Sequence, residues 1–121
     1  STAKDTDFFV HLVDENPTGI ALDVSYGMIR MRHRNGLDRS DLLIPGDIVQ
    51  VKLSLGPTAC RFIAGHSIRL EITSSNFPNH DRNHNTGMDD MMDTILIKAH
   101  QTVHHSPSMH SAVHLPLIDP K

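Results

Sequence analysis

Ser67-Ile68-Arg69-Leu70-Glu71-Ile72-Thr73, running directly into Ser74-Ser75-Asn76-Phe77-Pro78, is the stretch on which the fold turns. Ile68, Leu70 and Ile72 fall on one side of an extended chain and Arg69, Glu71 and Thr73 on the other. That period of two belongs to a strand and not to a helix. The turn Ala64-Gly65-His66 leads into it, and residues 61–63 have room for a short strand before that.

The same period recurs upstream. In residues 48–55, Val49, Val51, Leu53 and Leu55 alternate with Gln50, Lys52 and Ser54, as expected of a half-buried antiparallel strand that Gly56-Pro57 then stops. Residues 27–34 place Arg30, Arg32 and Arg34 on one face and Ile29, Met31 and His33 on the other. Residues 8–13 read as a further strand, closed by the turn formers Asp14, Glu15, Asn16, Pro17 and Gly19. Downstream, residues 76–93 are polar and aperiodic and predict a long loop, with one helical turn at 88–92. Strands are expected again at 94–103 and 112–118, with Pro120 closing the chain. Recurrent short strands, turn signals between them and no sustained helical period predict an all-β sandwich or barrel.

Composition narrows the function. A chain of 121 residues is one domain in size, large enough to bury a core and too short for two domains of ordinary length. Its net charge of -3 offers no general attraction to nucleic acid or to an anionic membrane, and neither is expected as a partner. The single cysteine, Cys60, excludes an intrachain disulfide, is compatible with a cytoplasmic location, and reads as a small buried hydrophobe. No tryptophan, one tyrosine and four phenylalanines leave few rings on which to stack a sugar, which disfavours an independent carbohydrate-binding module.

Ten histidines invite a search for metal ligands. His80 and His84, with His104, His105 and His110, show none of the recognised zinc spacings, and no twelve-residue calcium loop is present, so no metal or cofactor is expected. The nucleophile elbow Gly-x-Ser-x-Gly is missing too, and Gly65-His66-Ser67 leads into a strand, so it reads as a turn with a structural histidine. No catalytic residue is assigned. The arginines Arg30, Arg32 and Arg34 are expected on a solvated face or at a domain interface, supplying fork-shaped donors to carboxylates.

Taken in order, these strings resemble one family. Asp5-Thr6-Asp7-Phe8, then 27–34, Leu43-Ile44-Pro45-Gly46, Pro57-Thr58-Ala59 and Phe62-Ile63-Ala64-Gly65-His66-Ser67-Ile68-Arg69-Leu70 follow the pattern of the C-terminal domain of X-prolyl dipeptidyl peptidase, cocaine esterase and glutaryl acylase-type serine hydrolases. The most specific string is Ser74-Ser75-Asn76-Phe77-Pro78 with Asp81-Arg82-Asn83 and Asn85-Thr86-Gly87. Gln101-Thr102-Val103-His104-His105 and Leu115-Pro116-Leu117-Ile118 resemble its last strands, whereas His33, Ser67 and His110-Ser111-Ala112 depart from its usual residues.

The resemblance implies a jelly-roll β-sandwich of the galactose-binding-like type. It also implies a non-catalytic accessory role, covering the α/β-hydrolase domain of the same polypeptide, shaping its cleft and contributing to oligomer contacts. The expected interdomain surface comprises Arg30, Arg32 and Arg34 together with Asn76, Phe77, Pro78, Asp81, Arg82, Asn83 and Asn85. Asn and Asp in that loop are equally suited to bracing their own sandwich, since they bond readily to nearby backbone. Domains of this kind carry one or more strands ahead of the Asp5 string, where this sequence has four residues, so the first strand is expected to be missing. An uncovered sheet edge invites pairing. Self-association or marginal stability is the expected outcome, and a stable monodisperse monomer on sedimentation at high concentration is the result that contradicts it.

Overall fold

The computed structural model describes residues 1–118. It is nearly all-β: strands β1 (Asp7–Glu15), β2 (Ala21–Arg30) and β3 (Ser67–Thr73) form one antiparallel sheet in the order β2-β1-β3, and among the described residues the only helical element is a short 3-10 turn at Met31–His33.

The hairpin between β1 and β2 is closed by a side chain. Asn16 Oδ1 accepts from the backbone N–H of Thr18 (3.0 Å) and Ile20 (2.9 Å) and from the Thr18 hydroxyl (2.8 Å). Gly19, at φ +85°, takes the left-handed conformation that lets the chain reverse. The register runs from Glu15 opposite Ala21 to Asp7 opposite Arg30, with a bulge at Leu12/Val13.

On one face, Val10 and Leu12 of β1 stand opposite Ile72 and Leu70 of β3, and Phe8 stands opposite Ile29 of β2. Two irregular segments touch this face. Leu53 and Ser54 lie directly over Gly27, and the Ser25 hydroxyl donates to the carbonyl of Leu55. Gln101 and Val103 line a cavity of about 360 Å³ with Phe8 and Ile72. The opposite face carries Phe9, His11, Tyr26 and Met28 in register. There the loop after β3 returns His80 against Phe9, with ring centroids 5.1 Å apart.

Of the expected strands, those at 8–13 and 67–73 are present and lengthened or matched, but 48–55, 61–63, 94–103 and 112–118 form no regular ladder. The side-chain pattern at 51–55 survives: Val51, Leu53 and Leu55 are half-buried, Lys52 and Ser54 exposed. Alternation sets which way side chains face, whereas a ladder also needs a neighbouring backbone at the right spacing.

The expected strand at 27–34 also ends early. After Arg30 the chain leaves the sheet because Thr6 O takes the N–H of Met31 (2.9 Å) and the Asp5 carboxylate takes that of Arg32 (2.8 Å). Met31 is buried at this corner, and Arg32 and Arg34 no longer share a strand face with Arg30. The helical turn expected at 88–92 appears as a turn in which Asp89 O accepts from Met92 and Asp93. Pro120 lies outside the described residues.

The N-terminal residues act as a strap. Ser1 O and Lys4 O accept from Gly46 and Leu43, Thr2 exchanges bonds with His100, and Ala3 is buried between them. The fully buried apolar core is small, comprising Ala3, Phe9, Leu12, Val13, Met31 and Leu43.

Gly27 tests this packing. A Cβ there would overlap the Ser54 carbonyl oxygen and press on Leu53, so backbone must move. Gly27→Ala is expected to destabilise by about 1–3 kcal/mol, the usual cost of overpacking, as measured by urea unfolding.

Candidate functional site

Asp5 and Asp7 are both fully buried, at 0 % exposure, and their charges dictate what surrounds them. Asp7 stands opposite Arg30 in the ladder. The Arg30 fork closes on it, Nε to Oδ1 and Nη2 to Oδ2, each 2.9 Å. Two residues earlier, Asp5 accepts from Arg32, from the backbone N–H (2.8 Å) and from Nε (2.6 Å). The remaining acceptor sites are joined by one amide: Asn83 Nδ2 donates to Asp5 Oδ2 and to Asp7 Oδ1, both at 2.8 Å. One side chain thus satisfies two buried carboxylates across nearly eighty residues of sequence.

The outer rim is held by the loop after β3. Asp90 pairs with Arg30 Nη1 at 2.7 Å and lies 3.6 Å from Arg32 Nη2, while Arg32 Nη1 donates to Met88 O at 2.8 Å. Asn83 Oδ1 accepts from Asn85 N (2.8 Å), and Asn85, at φ +66°, passes its own amide to Ile97 O (2.8 Å). Thr86 donates to the Asp93 carboxylate. Met88 and Asp90 thus close over the two arginines, while Asn83, Asn85 and Thr86 tie the rest of the loop to its surroundings.

Hydrogen bonding from Asp7 is the largest reason that the Arg30 guanidinium is held above its ordinary value, with burial working against it. A raised cationic group stabilises the fold at every pH below its unfolded value, so Arg30 remains an unbroken clamp over the working range. The Asp93 carboxyl is held below the usual carboxylate range, first by the Thr86 hydroxyl and then by the N–H of Ile95.

The expected surface residues separate into two groups. Arg30, Arg32 and Asn83 turn inward to Asp5 and Asp7; Arg34 reaches the carbonyls of Met31 and Asp41; Asn85 braces Ile97. Phe77, Pro78, Asp81 and Arg82 are exposed, with Arg82 placed 5.7 Å from the Phe77 ring centroid, and Asn76 is half-buried. Asp5, Asp7 and Asp90 were not among the candidate residues. The signal for the first two was an Asp-x-Asp string at one strand start, matched by Arg-x-Arg where the partner strand ends. Asp90 had no such signal.

His66 is a structural histidine in a turn: its N–H bonds to Ile63 O and its Nδ1 lies 2.8 Å from Asp14. His80 and His84 are half-buried: His80 packs on Phe9 and His84 lies near Asp93. Cys60 is exposed, contrary to the buried position expected of it, because the segment around it pairs with no strand. Among the described residues, no three His, Cys, Asp or Glu side chains converge as a metal cluster would require. No helix there is long and apolar enough to cross a bilayer.

Two outcomes follow from this geometry. Asn83→Asp sets a third carboxylate between two buried ones and is expected to cost about 3–5 kcal/mol at neutral pH. Because like charges raise the introduced carboxyl's folded pKa, its deficit relative to the parent should shrink as pH falls through that value, as read by urea unfolding at a series of pH values. Thr86→Val should let Asp93 titrate closer to the ordinary carboxylate range, as followed by NMR. The stability that Asp93 contributes is present above its unfolded pKa and is lost as pH falls through its folded one; the variant should lose it at higher pH than the parent.

Residues 1–114 match the family model described as the X-Pro dipeptidyl-peptidase C-terminal non-catalytic domain. The chain is 38% identical over 120 residues to cocaine esterase from Rhodococcus sp. (strain MB1 Bresler), which covers 98% of this chain and 21% of that protein. It is 32% identical over 92 residues to proteins designated as serine esterases in Mycobacterium bovis and Mycobacterium tuberculosis, over 62% of this chain and 15% of each. The chain thus spans about a fifth of the length of cocaine esterase. With the Asp-x-Asp, Arg-x-Arg and Asn83 strings meeting in one buried network inside the matched region, this chain belongs to the X-Pro dipeptidyl-peptidase C-terminal non-catalytic domain family.

Proposed function

We propose that the chain is the non-catalytic accessory domain of a serine hydrolase that cleaves esters or amides, packed on the α/β-hydrolase domain of the same polypeptide. The observation that carries this is the family match over 1–114, to a domain described as non-catalytic, in a chain that is about a fifth of the esterase it resembles. The geometry is consistent with it. The carboxylates of Asp5 and Asp7 spend their acceptor sites on Arg30, Arg32 and Asn83, which leaves them to hold a shape rather than to move protons.

In this reading the full fold is a jelly roll. The segments at 51–55, against β2 on that apolar face, and 101–103, beside β1 and β3, belong to its second sheet. Arg30, Arg32, Asn83 and Asn85 support the loop from within, and Arg34 secures the adjoining corner. Asn76, Phe77, Pro78, Asp81 and Arg82 face the hydrolase domain and help shape its cleft and oligomer contacts. Phe77, 65% exposed on a loop braced by ion pairs, is suited to be an apolar anchor.

A paired measurement tests the docking. Phe77→Asp should leave the melting temperature of the 121-residue chain unchanged within about a degree, since the ring is solvated there, and lower that of the whole hydrolase by several degrees. Equal effects in both contexts overturn the interdomain role. The non-catalytic assignment is checked separately: a serine-directed fluorophosphonate should label the whole hydrolase and not this chain.

A further inference from the structure

One open cleft on the surface holds cations without a counter-charge. Ser74 and Ser75, at the end of β3, form one wall; residues 96–98, ending in Lys98, form another; Arg82, Asn83 and Asn85 complete it around a volume of about 330 Å³. Among the described residues, no carboxylate lines it. Although the chain has a net charge of -3, neither Arg82 nor Lys98 makes an ion pair among the described residues. Neither serine hydroxyl has a protein partner among the described residues, so the residues that line the cleft include two free hydroxyls and two cationic side chains that form no ion pair.

The walls are held before anything binds. Asn85, in its left-handed conformation, donates to Ile97 O at 2.8 Å, Ile97 N donates to His84 O at 3.1 Å, and Asn83 is locked to Asp5 and Asp7. The Arg82 guanidinium lies 5.7 Å from the centroid of the Phe77 ring, outside the lining, and is the one wall group that turns to meet an anion. Rigid walls lower the ordering cost of binding.

We propose that this cleft is an oxyanion site of the phosphate class. A guanidinium fork, an ammonium point charge and two hydroxyls suit a doubly charged tetrahedral anion, which accepts at several oxygens, better than a single planar carboxylate. The cleft is larger than an inorganic phosphate, which leaves space for the organic part of a phosphate monoester. The lining comes wholly from this chain, although Arg82 is shared with the surface proposed above to face the hydrolase domain, so a titration of the chain alone tests the site whether or not that docking holds.

Inorganic phosphate, with acetate as the single-charge comparison, is titrated into the 121-residue chain while the backbone amides of Ser74, Ser75, Asn85 and Lys98 are followed by NMR. The expected result is saturable shifts at these positions with phosphate, binding weaker by about tenfold or more with acetate, and a similar loss in Arg82→Gln and Lys98→Gln, since each removes a charge-assisted contact. Lys98→Arg should retain binding. Both residues are exposed, so the variants should keep the parent's melting temperature, and Lys52→Gln is the charge control. Shifts that rise linearly without saturating, equal affinity for acetate, or parent-like binding in both glutamine variants each overturn the proposal.

Discussion

The constraint on which the rest of this structure depends is the burial of two carboxylates at the start of its central strand. An unpaired buried anion costs several kcal/mol, so Asp5 and Asp7 can sit at zero exposure only if every acceptor site is matched. The matching donors come from three places in the chain: the end of β2, the corner after it, and Asn83 in the loop after β3. Satisfying two charges thereby ties together segments that a small apolar core would hold only weakly. The network's value is in specifying one arrangement, because leaving any member unpaired costs more than the intact set contributes.

The network also divides the labour of the loop at 74–93. Of its inner residues, Asn83 is committed to Asp5 and Asp7 and Asp90 to the arginines; its outer ones, Phe77, Asp81 and Arg82, are displayed on a support that cannot easily shift. Many apolar side chains outside the core stay exposed, among them Ile68, Leu70 and Ile72 on β3 and Met88, Met91 and Met92 beyond it. That distribution suits a domain built to lie against other protein, the role proposed from its family.

The strands at 8–13 and 67–73 were legible because their alternation is local and because Asn16 and Gly19 mark the first hairpin, a turn that depends on side chains within five residues of each other. The segment at 48–55 was legible only in part. From Val51 to Leu55 its side chains keep the two-sided exposure that alternation predicts, while Val49 and Gln50 are both exposed, and pairing needs a partner backbone that periodicity says nothing about. At 27–34 the pattern was followed too far, since the chain leaves the sheet where Asp5, more than twenty residues earlier, captures the N–H of Arg32.

The candidate site divides along the same line. From the sequence alone come the all-β class, the family strings, and the expectation that Arg30 and Arg32 serve carboxylates, because residue type and short spacing carry those. Only the tertiary structure decided whose carboxylates they are. Antiparallel register sets Asp7 opposite Arg30, the chain's turn at Met31 brings Arg32 to Asp5, and a loop arriving from residue 83 supplies the amide between them. These contacts join residues far apart in the chain, and hydrogen-bond geometry at 2.6–2.9 Å exists only once the backbone has placed them.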